Sequence, residues 1–180
     1  MSEPLDVSKV KKDDVLFLIL KGMITEDSQI ENIDSSGEPT VVIDLHGITR
    51  INSYGIRQWI NNLKRLGEKS PNIVFTRCPP AIVEQFNMIS NFGANGTVYS
   101  FYLPFYSDKK DKDELVLYEL DSGNTSADYP QMIEASAAKL DASAEFVFND
   151  IEDEYFSFLQ FQKQKQVAPA VAQVIKQTCV

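Results

Sequence analysis

The fold of this chain is decided by residues 42–56, which read VIDLHGITRINSYGI. Apolar and β-branched side chains dominate Thr40–Leu45, and this pattern predicts a strand covered on both faces. A polar turn follows at Gly47, Asn52 and Ser53. It leads directly into an amphipathic helix, so we expect the helix N-terminus to lie at the end of a buried strand.

The helix after the turn is predicted from apolar side chains at positions i, i+3, i+4 and i+7. These residues are Ile56, Trp59, Ile60 and Leu63. The other side is polar and carries Arg57, Asn61, Lys64 and Arg65. Either Asn52 or Ser53 stands at the N-cap position. Free backbone N–H groups and the helix dipole would make this end suitable for a phosphate or a carboxylate.

The strand, turn and helix resemble the signature of STAS domains, the family of bacterial anti-sigma factor antagonists. Members of that family carry an Asp-Leu strand end followed by an Asp-Ser-Ser-Gly-Leu/Val turn. The matching residues here are Asp44 and Leu45 in the strand, and Asn52, Ser53, Gly55 and Ile56 in the turn. The resemblance covers about residues 5–105 and implies a non-enzymatic signalling adaptor that binds an anti-sigma factor or a switch kinase.

Tyr54 departs from the family pattern, because it stands where members carry the serine that a partner kinase phosphorylates. A tyrosine hydroxyl lies about a ring's length further from the backbone than a serine hydroxyl, which argues against a serine kinase site there. Ser53 and Tyr54 are the two candidate phosphorylation sites. Phosphate on Ser53 would add about −1.5 to −2 of charge at the helix N-terminus. Alternatively, Ser53 is only the N-cap.

The resemblance also implies a partner-binding surface, because in this family the first helix and the preceding loop contact the partner. That surface would comprise Asn52, Ser53, Tyr54, Arg57, Gln58 and Asn61. A solvated helix face has the same sequence pattern, so both interpretations stay open.

The remaining elements of the first half support this register. Strands are predicted at Asp14–Met23, Asn72–Phe75 and Thr97–Leu103. Gly67 and Pro71 are expected to end the first helix, and Pro79-Pro80 to open a second one. The predicted order is strand, strand, strand, helix, strand, helix, strand.

We therefore expect an α/β fold, with a STAS-like mixed β-sheet whose helices lie mainly on one face, plus a small C-terminal α+β appendage. The expected domains are a STAS-like domain at residues 1–105, a β-hairpin and helix appendage at 106–166, and a C-terminal tail at 167–180. The apolar tail is either a docking segment or a dimer contact, and fraying is the ordinary expectation for a terminus.

The appendage begins with a charged hairpin tip, Ser107–Asp113, and a helix capped by Asn149 or Asp150 is expected to extend to Lys163 and Lys165. Its layout resembles a zinc ribbon without its cysteines. The ligand positions would fall near Ser107, Lys110, Lys139 and Ala142, none of which can hold zinc. The alternative is a plain hairpin and helix docked on the first domain. We predict no metal in either case.

Composition excludes several classes of function. A net charge of −9 argues against nucleic-acid binding, which needs a basic stripe. No apolar run reaches the roughly 20 residues of a membrane span, and the first 12 residues do not form a secretion signal, so a cytoplasmic location is expected. The two cysteines, Cys78 and Cys179, form no spaced pair, and we expect neither a disulfide nor a reactive thiol.

No catalytic set of residues can be assembled, and no cofactor is expected. His46 is interpreted as an exposed turn residue rather than a catalytic base. The run Glu152–Glu154 is interpreted as a solvated first turn rather than a metal site. The alternative to the signalling adaptor is a structural or homodimerisation module that has lost partner switching.

Overall fold

A computed structural model describes residues 3–120, 123–161 and 167–179, and the chain forms two β-sheets in it. The first sheet has five strands in the order β1-β2-β3-β4-β5. They are β1 (Asp6–Lys12), β2 (Val15–Ile24), β3 (Thr40–Ile51), β4 (Asn72–Thr76) and β5 (Thr97–Val98). β1 pairs antiparallel with β2, and all other neighbours are parallel. The predicted α/β class with a mixed sheet is therefore confirmed.

The described residues form six α-helices. They are α1 (Ser53–Lys69), α2 (Pro80–Met88), α3 (Tyr129–Ala137), α4 (Glu152–Tyr155), α5 (Phe158–Phe161) and α6 (Pro169–Thr178). Of these, α1 and α2 cover one face of this sheet and α6 the other. On the face of α1 and α2, Trp59 is fully buried and its indole N–H donates to the carbonyl of Phe92 at 3.1 Å. None of the helices in the described part of the chain has the length and apolar character that a membrane span requires.

The opposite face of the sheet is covered by the tail of the same chain. Phe17 and Val42 are fully buried there, beneath Ile175 of α6. Half-buried Val171 and Val174 flank Ile175. Of the two functions predicted for the tail, the structure shows docking within the chain. The β2 and β3 strands are thus apolar on both faces because each face has its own helical cover.

The second sheet has the order β7-β6-β8 and is antiparallel. Its strands are β6 (Ser100–Ser107), β7 (Lys112–Glu119) and β8 (Val147–Phe148). Alternating residues of β6, including Phe101 and Phe105, face inward and join the core that α1 and α2 cover. The predicted strand Thr97–Leu103 is divided at Tyr99, because the chain leaves the first sheet after β5 and enters the second as β6.

The hairpin tip at Ser107–Asp113 contacts the segment around Ala144 and Glu145. The hydroxyl of Ser107 donates to the carbonyl of Ala144, and Lys109 pairs with Glu145 at 3.0 Å. No group of His, Cys, Asp or Glu within residues 3–120, 123–161 and 167–179 is arranged to hold a metal ion. The likeness to a zinc ribbon stays an interpretation of the sequence.

The turn before α1 is shorter than predicted. β3 continues through Gly47 to Ile51, because one extra residue between Asp44 and Gly47 and another between Ile48 and Arg50 form bulges in β3 that keep it paired with β2. A Cβ at Gly47 would lie 2.4 Å from the Cγ of Lys21, so only glycine fits this close approach. His46 is consequently an exposed strand residue, and its assignment to a turn was wrong. α1 also passes through Gly67 and ends at Lys69.

The single helix predicted from Asn149 onward is also wrong, because the chain forms the two short helices α4 and α5. Phe156 lies between the two helices and Phe158 is the first residue of α5, and both are buried in the core. The side-chain oxygen of Asn87 accepts a hydrogen bond from the Phe158 N–H at 2.8 Å, which replaces the helical bond. The predicted last turn, with Lys163 and Lys165, lies outside the described residues.

Candidate functional site

The N-terminus of α1 is built by its capping residue. The Asn52 side-chain oxygen accepts a hydrogen bond from the Gly55 N–H at 2.8 Å, and the Asn52 carbonyl accepts from the Ile56 N–H at 2.9 Å. Ser53 is the first residue of the helix. Asn52 is therefore the N-cap, and the interpretation of Ser53 as the N-cap was wrong.

Glu26, in the loop after β2, contributes a carboxylate to this end of the helix. The Asn52 amide donates to Glu26 Oε2 at 2.6 Å, and this hydrogen bond lowers the pKa of Glu26. Ser28 holds the loop in place, since its hydroxyl accepts from the Thr25 N–H at 2.8 Å and donates to the Met23 carbonyl at 3.1 Å. Sequence reasoning did not select Glu26, although acidic residues directly after a buried strand were visible.

Gly55 brings α1 into direct contact with the backbone of β2. A Cβ at this position would lie 2.3 Å from the Ile24 carbonyl oxygen, far inside a normal contact. The Asn52 N–H donates to the same carbonyl at 3.1 Å. Only glycine permits this approach, so the helix start is held at the end of β2 by backbone contact.

The structure places all six residues of the predicted partner surface on the cap and first turns of α1. Ser53, Tyr54, Arg57 and Asn61 are exposed, whereas Asn52 and Gln58 are half-buried. Tyr54 keeps 51% of its surface accessible. The first turn contains no acidic residue of its own, and Glu26 of the neighbouring loop offsets the positive end of the helix dipole. The arrangement is a fixed polar surface with two accessible hydroxyls.

A second polar cluster, which sequence reasoning missed, lies where β3 and β4 run side by side. The buried Asp44 carboxylate accepts hydrogen bonds from Arg77 Nε at 3.0 Å, from Arg77 Nη2 and from the His46 N–H at 3.1 Å. The carboxylate raises the pKa of Arg77. The only sequence signal was one acidic residue in a strand expected to be buried on both faces. The hydrogen bonds from Arg77 and from the His46 backbone use both carboxylate oxygens of Asp44 and tie β3 to the residue that follows β4.

The groups around this cluster do not form an activated nucleophile. His46 Nδ1 lies 2.7 Å from the Tyr102 hydroxyl, and the two rings are tilted at 45° with their centroids 5.5 Å apart. Burial, with the nearby Asp44 carboxylate, raises the pKa of Cys179 to about 11. Burial also raises the pKa of Cys78, which is fully enclosed. Both thiols therefore stay protonated at neutral pH.

Comparison with solved structures finds a likeness to a protein described as an anti-sigma factor antagonist from Mycobacterium paratuberculosis. The two chains are 19% identical with a TM-score of 0.41, and the match covers 49% of this chain and 81% of the other. No family model and no curated protein matches the chain. A likeness at this level does not assign a function.

Proposed function

We propose that this protein is a non-enzymatic signalling adaptor of the anti-sigma factor antagonist type. Its partner is an anti-sigma factor or a serine kinase-like switch protein. It binds this partner through the N-terminal surface of α1, formed by Asn52, Ser53, Tyr54, Arg57, Gln58 and Asn61.

The proposal rests on how rigidly the start of α1 is held. Asn52 caps the helix, and Gly55 holds it against the Ile24 carbonyl, so the backbone of the first turn is fixed before any partner arrives. Tyr54 and Arg57 are exposed on that fixed turn. A preorganised surface with an exposed aromatic residue and an exposed arginine loses little conformational entropy on binding, and these residue types often dominate interface energies. The motif at residues 44–56 supports the same choice of partner class.

We do not propose phosphorylation of Tyr54, because a serine kinase recognises a hydroxyl that lies close to the backbone. Ser53 is exposed in the first turn of α1, and a phosphoryl group there would gain from the helix dipole. It would also bring charge beside Asn52, which already holds the Glu26 carboxylate. Incubation with cell extract and ATP, followed by mass spectrometry, distinguishes the two hydroxyls. If neither residue carries phosphate, regulation by phosphorylation is ruled out and the proposal of a binding surface remains.

The binding proposal is tested by affinity capture from the native organism with charge-matched variants. Arg57→Glu reverses one charge in the proposed surface, and Lys64→Glu makes the same change two turns further along α1. Both side chains are exposed, so both variants are expected to fold. We expect wild type and Lys64→Glu to capture an anti-sigma factor or a histidine-kinase-like ATPase, and Arg57→Glu to lose it.

Equal capture by both variants would contradict binding at the start of α1. Recovery of only this chain would favour the homodimerisation module instead. Size-exclusion chromatography with light scattering on the wild-type protein then measures the oligomeric state directly.

A further inference from the structure

A second surface lies on different elements, between α2 and α4. It is a groove of about 700 Å³. α2 contributes Glu84, Asn87 and Met88, and α4 with the loop before it contributes Asp150, Asp153 and Glu154. Asn87 holds the two walls together, because its amide donates to the Tyr155 carbonyl at 3.0 Å and its oxygen accepts from the Phe158 N–H at 2.8 Å. The groove is therefore present before any ligand binds.

The groove combines an apolar contact point with unpaired negative charge. Met88 is 71% exposed at its wall, and Ile151, next to Asp150 in the chain, is 57% exposed. Methionine adapts its shape to a bound side chain and is frequent on binding surfaces. An apolar residue of a ligand would remove this surface from water.

The described lining of the groove carries negative charge without positive charge beside it. Among the residues that the structure describes, its lining includes Glu84, Asp150, Asp153 and Glu154 but no lysine or arginine. Within the described residues, no cation lies within ion-pair distance of any of the four carboxylates. They also do not converge on one point, since no described group of acidic residues is arranged to hold a metal ion. Carboxylates spread along a groove complement a row of positive charges rather than one ion.

We propose that the α2–α4 groove binds a basic, amphipathic segment of a partner protein. Its lysine or arginine side chains pair with Glu84, Asp150, Asp153 and Glu154, and an apolar residue of the segment contacts Met88. Nucleic acid is excluded as the occupant because its phosphates would meet four carboxylates. The proposal does not depend on the function assigned to α1, since the groove uses none of those residues.

The test uses the full chain and a fluorescently labelled amphipathic peptide of lysine and leucine, about 18 residues long. Binding is followed by fluorescence anisotropy for wild type, for Asp153→Asn/Glu154→Gln and for Met88→Ser. The control variant Glu31→Gln/Glu68→Gln removes the same charge at exposed positions outside the groove. We expect the groove double variant to bind about 10-fold more weakly, since each partly exposed ion pair contributes up to about a factor of five. The control is expected to change affinity by less than about twofold, because distant charges are screened.

The methionine methyl groups locate the peptide independently of any substitution. In wild-type protein labelled with ¹³C-methyl methionine, the Met88 resonance is expected to shift on peptide addition. The Met132 resonance serves as the internal reference, because its side chain is fully buried. Met88→Ser keeps all four carboxylates and tests the apolar contact alone. Because Met88 is exposed, the substitution is expected to leave the fold of α4 unchanged.

Three results would overturn the proposal. One is equal weakening by the groove and control double variants, which would show attraction by net charge alone. Another is a peptide-induced shift of Met23 or Met132 with Met88 unchanged. The third is displacement of the peptide by spermidine at equal affinity, since a polyamine would then satisfy the groove without any apolar contact.

Discussion

Arg77 donates hydrogen bonds from its guanidinium to both carboxylate oxygens of Asp44, whose side chain is only 1% exposed. The pair joins β3 to the residue that follows β4. Arg77 has a left-handed backbone with φ of 52°, which places its side chain back over the strand end. A bidentate ion pair at the edge of the core therefore joins β3 to the end of β4.

Asp44→Asn removes the negative charge and leaves the Arg77 guanidinium largely buried without its counter-ion. Breaking a buried pair costs about 3–5 kcal/mol of unfolding free energy. We expect a loss near the lower end, about 3 kcal/mol, because Arg77 keeps 17% of its surface in water. Urea unfolding followed by the fluorescence of Trp59, the single tryptophan, measures the change.

A surface pair provides the control for this substitution. Asp34→Asn breaks the pair with Lys69, which spans 2.9 Å but leaves both side chains 40% or more exposed. That substitution is expected to cost less than about 1 kcal/mol. Equal losses for Asp44→Asn and Asp34→Asn would mean that burial does not strengthen the Asp44–Arg77 pair.

Two glycines of α1 give opposite predictions for the same substitution. Gly67→Ala meets only the Ile73 Cδ1 at 3.9 Å, an ordinary contact, and should stabilise the protein by about 0.5–1 kcal/mol through helix propensity. Gly55→Ala would place its Cβ 2.3 Å from the Ile24 carbonyl oxygen and push α1 away from β2. We expect a loss of about 1–3 kcal/mol from overpacking. Thermal unfolding of both variants checks the signs, and stabilisation by Gly55→Ala would disprove the close contact.

Local patterns predicted α1 and its surroundings because their determinants lie close together in the chain. The apolar spacing from Ile56 to Leu63 identified the helix, and the polar residues before it identified the cap position. A helix cap and a helix face each depend on residues three or four positions apart. The same spacing placed Arg57 and Asn61 on the exposed side of α1, whereas the choice of the partner surface came from the family resemblance.

Contacts between distant residues could not be predicted in this way. The Asp44–Arg77 pair joins residues 33 positions apart, and neither residue has a local signal for the other. The continuation of β3 through Gly47 depends on its bulged pairing with β2, and the break between α4 and α5 depends on Asn87. In each case a neighbour from elsewhere in the chain overrides the local pattern.

Ile175→Ala tests how strongly the tail is held on the sheet. Ile175 is 3% exposed and is the main contact of α6 with Phe17 and Val42. We expect a loss of about 2 kcal/mol, the low end for isoleucine to alanine, because the site opens onto the surface and can relax. Gln173→Ala, at an exposed position of the same helix, should be close to neutral. Equal stability of the two variants would show that α6 does not anchor through Ile175.

Alkylation by iodoacetamide tests the environment of the two thiols. Only the thiolate reacts, and burial beside Asp44 raises the pKa of Cys179 from 9.0 to about 11. The rate of labelling at Cys179 in the folded protein should therefore keep rising from pH 7 to pH 10. In urea it should reach half its maximum near pH 9, the ordinary pKa of the thiol. Cys78 is fully buried and should be labelled only in urea. Mass spectrometry of the labelled peptides separates the two sites, and a half-maximal rate near pH 9 in the folded protein would show that Cys179 is freely exposed to solvent.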